Sequence, residues 1–265
     1  MSRAPGASAG RASPDAEALR RDGPLPAYRL TGWEEAHPGL RAGVTAGAEA
    51  GDLGVATERP PAEWAERMEA LAGAAGARRV VLPRQVHGRR VLEAAGGAPP
   101  GILLAGEADG LTTDEPGTLL AVTVADCVPV FVLDPESGAL ALLHAGWRGA
   151  AAGVLEEGLR ALEERYGSRP AGLRVHLGPA ICGSCYEVGP EVARALGREA
   201  DGTVRLDLRA ILADRAAAAG VPSRRVSRSG ACTRCGADHF FSYRGTGTTQ
   251  RMAAFLGWQA REDGV

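Results

Sequence analysis

Residues 118–149 read TLLAVTVADCVPVFVLDPESGALALLHAGWRG, and this stretch decides the fold. Thr118 to Val124, Val128 to Leu133 and Ala139 to Leu143 are apolar runs of strand length, rich in β-branched residues and without polar alternation. Such runs predict strands buried on both faces. Between the last two lies Asp134-Pro135-Glu136-Ser137-Gly138, whose turn chemistry joins them as a β-hairpin. Downstream, Gly149 to Tyr166 carries Val154, Leu155, Leu159 and Leu162 at helical spacing, with Gly167 as a stop. Leu173 to Leu177 and Val226 read as strands, Pro190 to Leu196 and Leu206 to Ala219 as helices, and Met252 to Trp258 as a last strand that closes the sheet.

Upstream, Pro61 to Ala74 presents Trp64, Met68 and Leu71 on one helical face. The run Arg79-Val80-Val81-Leu82 is a strand that ends at Pro83 and delivers Gln85, Val86 and His87, and the Gly/Pro-rich segment 96–106 reads as a loop. The pattern predicts an α+β fold, a single domain over residues 26–265 with mixed β-sheets flanked by helices. Residues 1–25, with few side chains large enough to bury, read as a disordered N-terminal tail. A formal net charge of −2 over 265 residues gives no cationic field for a polyanion, so neither nucleic acid nor an anionic membrane is expected as a partner. No segment has the length and apolarity of a secretory or membrane-spanning signal, so the expected location is cytoplasmic and the expected state monomeric.

Functional residue types crowd into Arg84-Gln85-Val86-His87-Gly88, Ala125-Asp126-Cys127-Val128-Pro129, His144-Ala145-Gly146-Trp147-Arg148-Gly149 and Phe240-Phe241-Ser242-Tyr243-Arg244, the first three at strand ends. His87, Cys127 and His144 are zinc-ligand types too far apart for a local finger. If three strand ends converge, they form a three-ligand site whose fourth position is open, the arrangement of a catalytic zinc. Cys127 has two other readings. It is a small core residue, or it is a nucleophile with His87 or His144 as base and Asp126 as an orienting group. Of the five cysteines, the other four form a double CxxC, Cys182/Cys185 and Cys232/Cys235, open to a structural zinc or to simple reduced thiols. Arg148, Arg244 and Arg251 are candidate binders of phosphate or ribose oxygens, and Tyr186 and Phe241 are candidate platforms for a base.

Taken together, RQVHG at 84–88, ADC-V-P at 125–129, HAGWRG at 144–149, GPAIC at 178–182, YEVG at 186–189, CT at 232–233 and FFSYR at 240–244 resemble the YfiH-like laccase-domain family. That family is also called polyphenol oxidase-like proteins or peptidoglycan editing factors. The resemblance implies a zinc ion on His87, Cys127 and His144, with copper as the alternative metal. It also implies phosphorolysis of adenosine, inosine, guanosine and methylthioadenosine with phosphate as co-substrate, and deamination of adenosine. Catalytic roles then fall to Asp126 and Cys127, and substrate contacts to Gln85, Arg148, Tyr186, Phe241, Arg244 and Arg251. The competing functions are a cysteine hydrolase or binding protein in peptidoglycan precursor editing, and a copper oxidase of phenols. Five histidines are too few for the histidine-rich copper set of the last. The chain departs from the family pattern at Ala42-Gly43-Val44-Thr45-Ala46-Gly47, where an arginine is expected, and at Arg244-Gly245, where a second arginine is expected. Phosphorolysis is the activity these departures weaken.

Overall fold

A computed structural model describes residues 16–54, 61–94 and 96–261. The long apolar runs assort into two stacked sheets. The first contains β1 (Ala18–Arg20), β2 (Ala27–Arg29), β3 (Leu40–Thr45), β4 (Arg79–Arg84), β6 (Gly101–Glu107), β8 (Thr118–Val124) and β15 (Met252–Trp258), in the order β1-β2-β3-β15-β8-β4-β6. The second contains β5 (Val91–Glu93), β7 (Gly110–Thr113), β9 (Val128–Leu133), β10 (Leu140–Ala145), β11 (Arg174–Leu177) and β14 (Val226–Arg228), in the order β14-β11-β9-β10-β7-β5. A small ribbon pairs β12 (Glu187–Val188) with β13 (Val204–Arg205).

Strand periodicity divides each run between two cores. Leu120, Val122 and Val124 of β8 face Phe131, Leu133, Leu140 and Leu142 across the sheet-to-sheet interface. Leu119 and Ala121 point the other way, onto Trp64, Met68 and Leu71 of the helix Ala62–Ala74. Val130, Val132, Ala141 and Leu143 likewise cover Val154, Leu155, Leu159 and Leu162 of the helix Val154–Tyr166. The result is four layers, helix on sheet on sheet on helix, as expected for mixed sheets flanked by helices.

Several boundaries differ from the sequence expectation. The helix expected over 149–166 is two helices, Trp147–Ala152 and Val154–Tyr166, because Gly153 adopts φ +90 and breaks the hydrogen-bond ladder. The loop expected over 96–106 contains β6, an edge strand whose parallel bonds to β4 override its glycines. Met252–Trp258 does not close a sheet edge but lies inside the first sheet, between β3 and β8. Part of the expected tail is ordered: Ala18–Arg20 pairs antiparallel with Ala27–Arg29, and Glu17 reaches the buried His176 at 3.0 Å. Residues 1–15 lie outside the described residues.

The topology brings the chemistry-bearing segments to one end. Parallel strands β4, β6 and β8 of the first sheet continue into β5, β7 and β9 of the second. Three chain crossings, 85–90, 108–109 and 125–127, therefore pass between the sheets side by side. The antiparallel β10 returns to the same end and delivers His144 and the HAGWRG turn.

Candidate active site

The convergence required of His87, Cys127 and His144 is present: their ligating atoms lie within 4.8 Å of one another. His144 is buried, Cys127 half-buried and His87 exposed, so the site opens to solvent on the His87 side. The two imidazoles meet edge to face with centroids 4.9 Å apart. Gly146 completes the cradle. A Cβ there would stand 2.9 Å from Cys127 Sγ and 3.3 Å from the His87 ring, so no larger residue fits without displacing two ligands.

Asp109, on the crossing from β6 to β7 and fully buried, was not singled out by any motif, yet it organises the site. Its Oδ1 accepts the His87 N–H at 2.9 Å and pairs with His144 Nδ1 at 2.8 Å, while Oδ2 accepts the Val86 and Gly88 N–H groups at 3.1 and 2.6 Å. The carboxylate shapes the RQVHG turn and fixes the His144 tautomer, leaving Nε2 as the ligating nitrogen. The sequence signal was faint: one carboxylate at the head of an otherwise uncharged buried strand, GLTT.

The electrostatics favour a thiolate. Burial pushes the Cys127 thiol up, but the charge and hydrogen bond of His144, with those of His87, outweigh it and bring the group down to about 6. Burial lowers the His144 imidazolium, but the Cys127 sulfur and the Asp109 carboxylate overcome this and raise it to about 9. Without metal, His144 keeps a proton on Nε2 opposite an ionised Cys127 sulfur; a zinc ion would displace that proton, and the resulting thiolate and two imidazoles with an outer carboxylate are a donor set suited to it.

Two non-glycine residues among those described have positive φ, His87 at +59 and Asp126 at +82, and both adjoin this centre. Asp126 was expected to act on or beside Cys127. Its carboxylate instead accepts Thr233 Oγ1 at 2.6 Å, Ser242 Oγ at 2.7 Å and the Arg244 N–H at 2.7 Å, tying the CT and FFSYR segments to the ADC turn. With both oxygens so engaged, its bonds suit a positioning role. Gln85 also departs from expectation: its amide bonds Thr123 through the backbone oxygen, N–H and hydroxyl, at 2.7–2.9 Å, pinning the end of β4 to β8 and leaving little to offer a substrate.

The other predicted contacts divide. Tyr186 is buried beside the centre; burial raises its phenol, Cys127 raises it further, and Arg244 opposes both. The Arg244 guanidinium lies 5.1 Å from the Tyr186 ring centroid and donates to the Glu187 carbonyl at 3.0 Å. Arg148 is exposed at the start of the helix Trp147–Ala152, against the Trp147 ring. Phe241 packs instead into the interface between the sheets, with its ring against Gly47, and Arg251 turns onto the carbonyls of Thr248 and Gln250 in its own loop.

Residues 40–259 match the family described as multi-copper polyphenol oxidoreductase laccase. The chain belongs to this family. A purine nucleoside phosphorylase of Streptomyces coelicolor is 42% identical over 187 residues, covering 67% of this chain and 74% of that protein. A purine nucleoside phosphorylase of Deinococcus radiodurans is 39% identical over 234 residues, 83% and 87% of the two chains. A protein named adenosine deaminase, from an unknown prokaryotic organism, is 33% identical over 193 residues, 63% and 70%. The crystal structure of Bacillus licheniformis YfiH superposes with a TM-score of 0.79 at 28% identity, over 91% of this chain and 98% of that one. The copper in the family's description finds no histidine-rich cluster among the described residues. His176 bonds Ser227 and Glu17, and His239 lies beside Tyr28 and Glu49, away from the two histidines of the centre.

Proposed function

We propose that the protein is a zinc-dependent purine nucleoside phosphorylase, acting on adenosine, inosine, guanosine and methylthioadenosine, that also deaminates adenosine. The observation that carries this reading is the three-ligand His87–Cys127–His144 centre, open on its His87 side, with Tyr186 and Arg244 beside it. The names of the relatives support both activities. When bound, zinc supplies Lewis acidity at the position the three ligands leave open.

The chain's own residues supply binding and orientation. Asp109 holds His144 by its Nδ1–H, and the Gly146 cradle keeps Cys127 and His87 at ligating distance. Arg244, held over Tyr186, and the exposed Arg148 present forked donors suited to phosphate and ribose oxygens. The Tyr186 phenol, protonated at neutral pH like any phenol, offers a hydrogen-bond donor to the nucleoside. We read the enzyme as a cytoplasmic monomer with nucleosides and phosphate as its partners. No described helix is long and apolar enough to cross a membrane. The test is incubation of the zinc-loaded protein with adenosine and phosphate. Adenine with ribose 1-phosphate, and inosine, are the expected products; their absence from zinc-replete protein refutes the proposal.

A second reading has an observation in its favour. Cys127 Sγ, His144 and Asp109 form a hydrogen-bonded series resembling a cysteine hydrolase triad, which needs no metal. Hydrolysis of peptidoglycan precursors that survives chelation and is lost in Cys127→Ser would favour it over the zinc enzyme.

A further inference from the structure

Cys182, Cys185, Cys232 and Cys235 take no part in the chemistry above, yet their four sulfurs also lie within 4.8 Å of one another. We propose that they hold a second zinc ion, in a structural tetrathiolate site that fastens the GPAIC–YEVG loop to the CT–FFSYR loop. The assignment is independent of the reaction the first centre performs.

The geometry is that of a closed site. A tetrahedral ion with metal–sulfur bonds of about 2.3 Å separates its sulfurs by about 3.8 Å, within the spread found here. Cys185 and Cys235 approach to 3.3 Å, well beyond the roughly 2 Å of a disulfide. The isolated parallel bridge between Ala180 and Cys232 sets the two CxxC segments side by side. Each pair sits on a tight turn: Cys185 N–H returns to the Cys182 carbonyl at 2.9 Å, and Gly236 N–H to the Cys232 carbonyl at 2.8 Å.

The hydrogen bonding independently fits a metal-bound sulfur. The N–H groups of Cys182 and Cys235 both aim at Cys232 Sγ, at 3.3 and 3.4 Å, and that residue is buried. A neutral thiol is a weak acceptor, whereas a metal-bound thiolate gains from two such donors. A dithiol–disulfide pair accounts less well for the cluster, because one bond between Cys185 and Cys235 would leave the two N–H groups directed at an unrelated sulfur. All four donors being thiolates, and none a water or carboxylate, favours zinc and leaves no open position, which makes the role structural.

The location says what the ion would hold. Tyr186 follows Cys185 directly, Thr233 follows Cys232 and donates to Asp126, and Arg234 donates to the Cys185 carbonyl at 3.2 Å. Both loops that supply groups to the first centre are therefore pinned from behind at this point.

Elemental analysis of the full chain, purified under reducing conditions, tests the proposal. Two zinc ions per chain are expected, falling to one in Cys127→Ser and to one in Cys185→Ser/Cys235→Ser. Because the double variant could fail to fold, the unaltered protein provides a second measurement. Stepwise titration with a thiol-specific mercurial, with zinc read by a chromophoric chelator, should release one ion in proportion to modification of Cys182, Cys185, Cys232 and Cys235, as mapped by peptide mass. The proposal is overturned by one zinc per chain that is lost with Cys127 alone, or by modification of those four thiols with no zinc released.

Discussion

Replacing Asp109 with asparagine keeps the shape of the side chain and changes one oxygen to an NH₂ group, at a position where all four neighbours are donors. In one orientation the NH₂ faces the Val86 and Gly88 N–H groups. In the other it faces the His87 N–H and His144 Nδ1, and the imidazole relieves the clash by moving its proton to Nε2, the nitrogen needed for the metal. The first orientation orphans two backbone donors at roughly 1–3 kcal/mol each, a loss of about 2–6 kcal/mol in stability. At roughly 2–4 °C per kcal/mol for a chain of this size, the melting temperature falls by about 4–24 °C. The second keeps more of the turn but weakens zinc binding by about 10–100-fold, the usual effect of removing a carboxylate behind a ligating histidine. Chelator competition, with the ion of this centre identified by its absence in Cys127→Ser, measures affinity, and thermal unfolding of the metal-free protein measures stability. A variant with wild-type zinc affinity and wild-type melting temperature would refute the role given to Asp109.

Three further outcomes are expected. Gly146→Ala places a methyl group 2.9 Å from Cys127 Sγ, so it should lower zinc content and activity together, read by elemental analysis and product assay, while the far-UV circular dichroism stays native. Arg244→Ala removes a charge-assisted donor worth roughly 1.5–3 kcal/mol, so KM for phosphate should rise by about 10-fold or more with a smaller change in kcat, measured by steady-state kinetics. Asp134 accepts Ser168 Oγ at 2.6 Å, Ser137 Oγ at 2.9 Å and the Glu136 N–H at 2.9 Å. Burial raises its carboxyl, but these bonds outweigh burial and hold it below its ordinary 3.8. Its stabilisation is therefore complete above 3.8 and lost as pH falls through the depressed value. Urea unfolding should show Asp134→Asn weaker than wild type by about 1–2 kcal/mol near pH 7, with the gap closing as pH falls below 3.8.

The parts of the molecule legible in sequence are those where one physical cause dominates. Residues 118–145 are apolar on both strand faces, and nothing but a doubly covered sheet accommodates that, so β8, β9 and β10 were predictable nearly to the residue. The candidate metal ligands were legible as residue types at strand ends, although spacing alone left Cys127 open to three readings. Positions whose role depends on tertiary partners were not legible. Asp109 has no motif around it, and its four donors come from segments 21 to 35 residues away. Gln85 and Asp126 have the chemistry of substrate-facing groups, and only the folded chain shows their polar atoms directed at Thr123, Thr233, Ser242 and Arg244. The strand Ala18–Arg20 was hidden because three residues carry too little pattern, and its pairing with Ala27–Arg29 makes up for their weak propensity.

The two strained residues show how the centre is held ready for metal. A non-glycine residue in the left-handed region costs on the order of 1–3 kcal/mol and persists only where its surroundings over-determine it. His87 and Asp126 occupy that region on two neighbouring chain crossings, and each is held by a carboxylate. At His87 the Asp109 carboxylate takes three consecutive N–H groups, which fixes the turn independently of the ligand it presents. At Asp126 the residue's own carboxylate takes three donors from the segment 233–244, so the strain that aims Cys127 also draws Arg244 and its stacked Tyr186 toward the centre. Charge-assisted bonds to ionised groups contribute about 1.5–3 kcal/mol each, so three at each corner exceed the local strain. The ligand triangle therefore forms with the fold and does not wait for the metal to assemble it. The Asp126 bonds join the turn that carries Cys127 and the segment 233–244 into one unit.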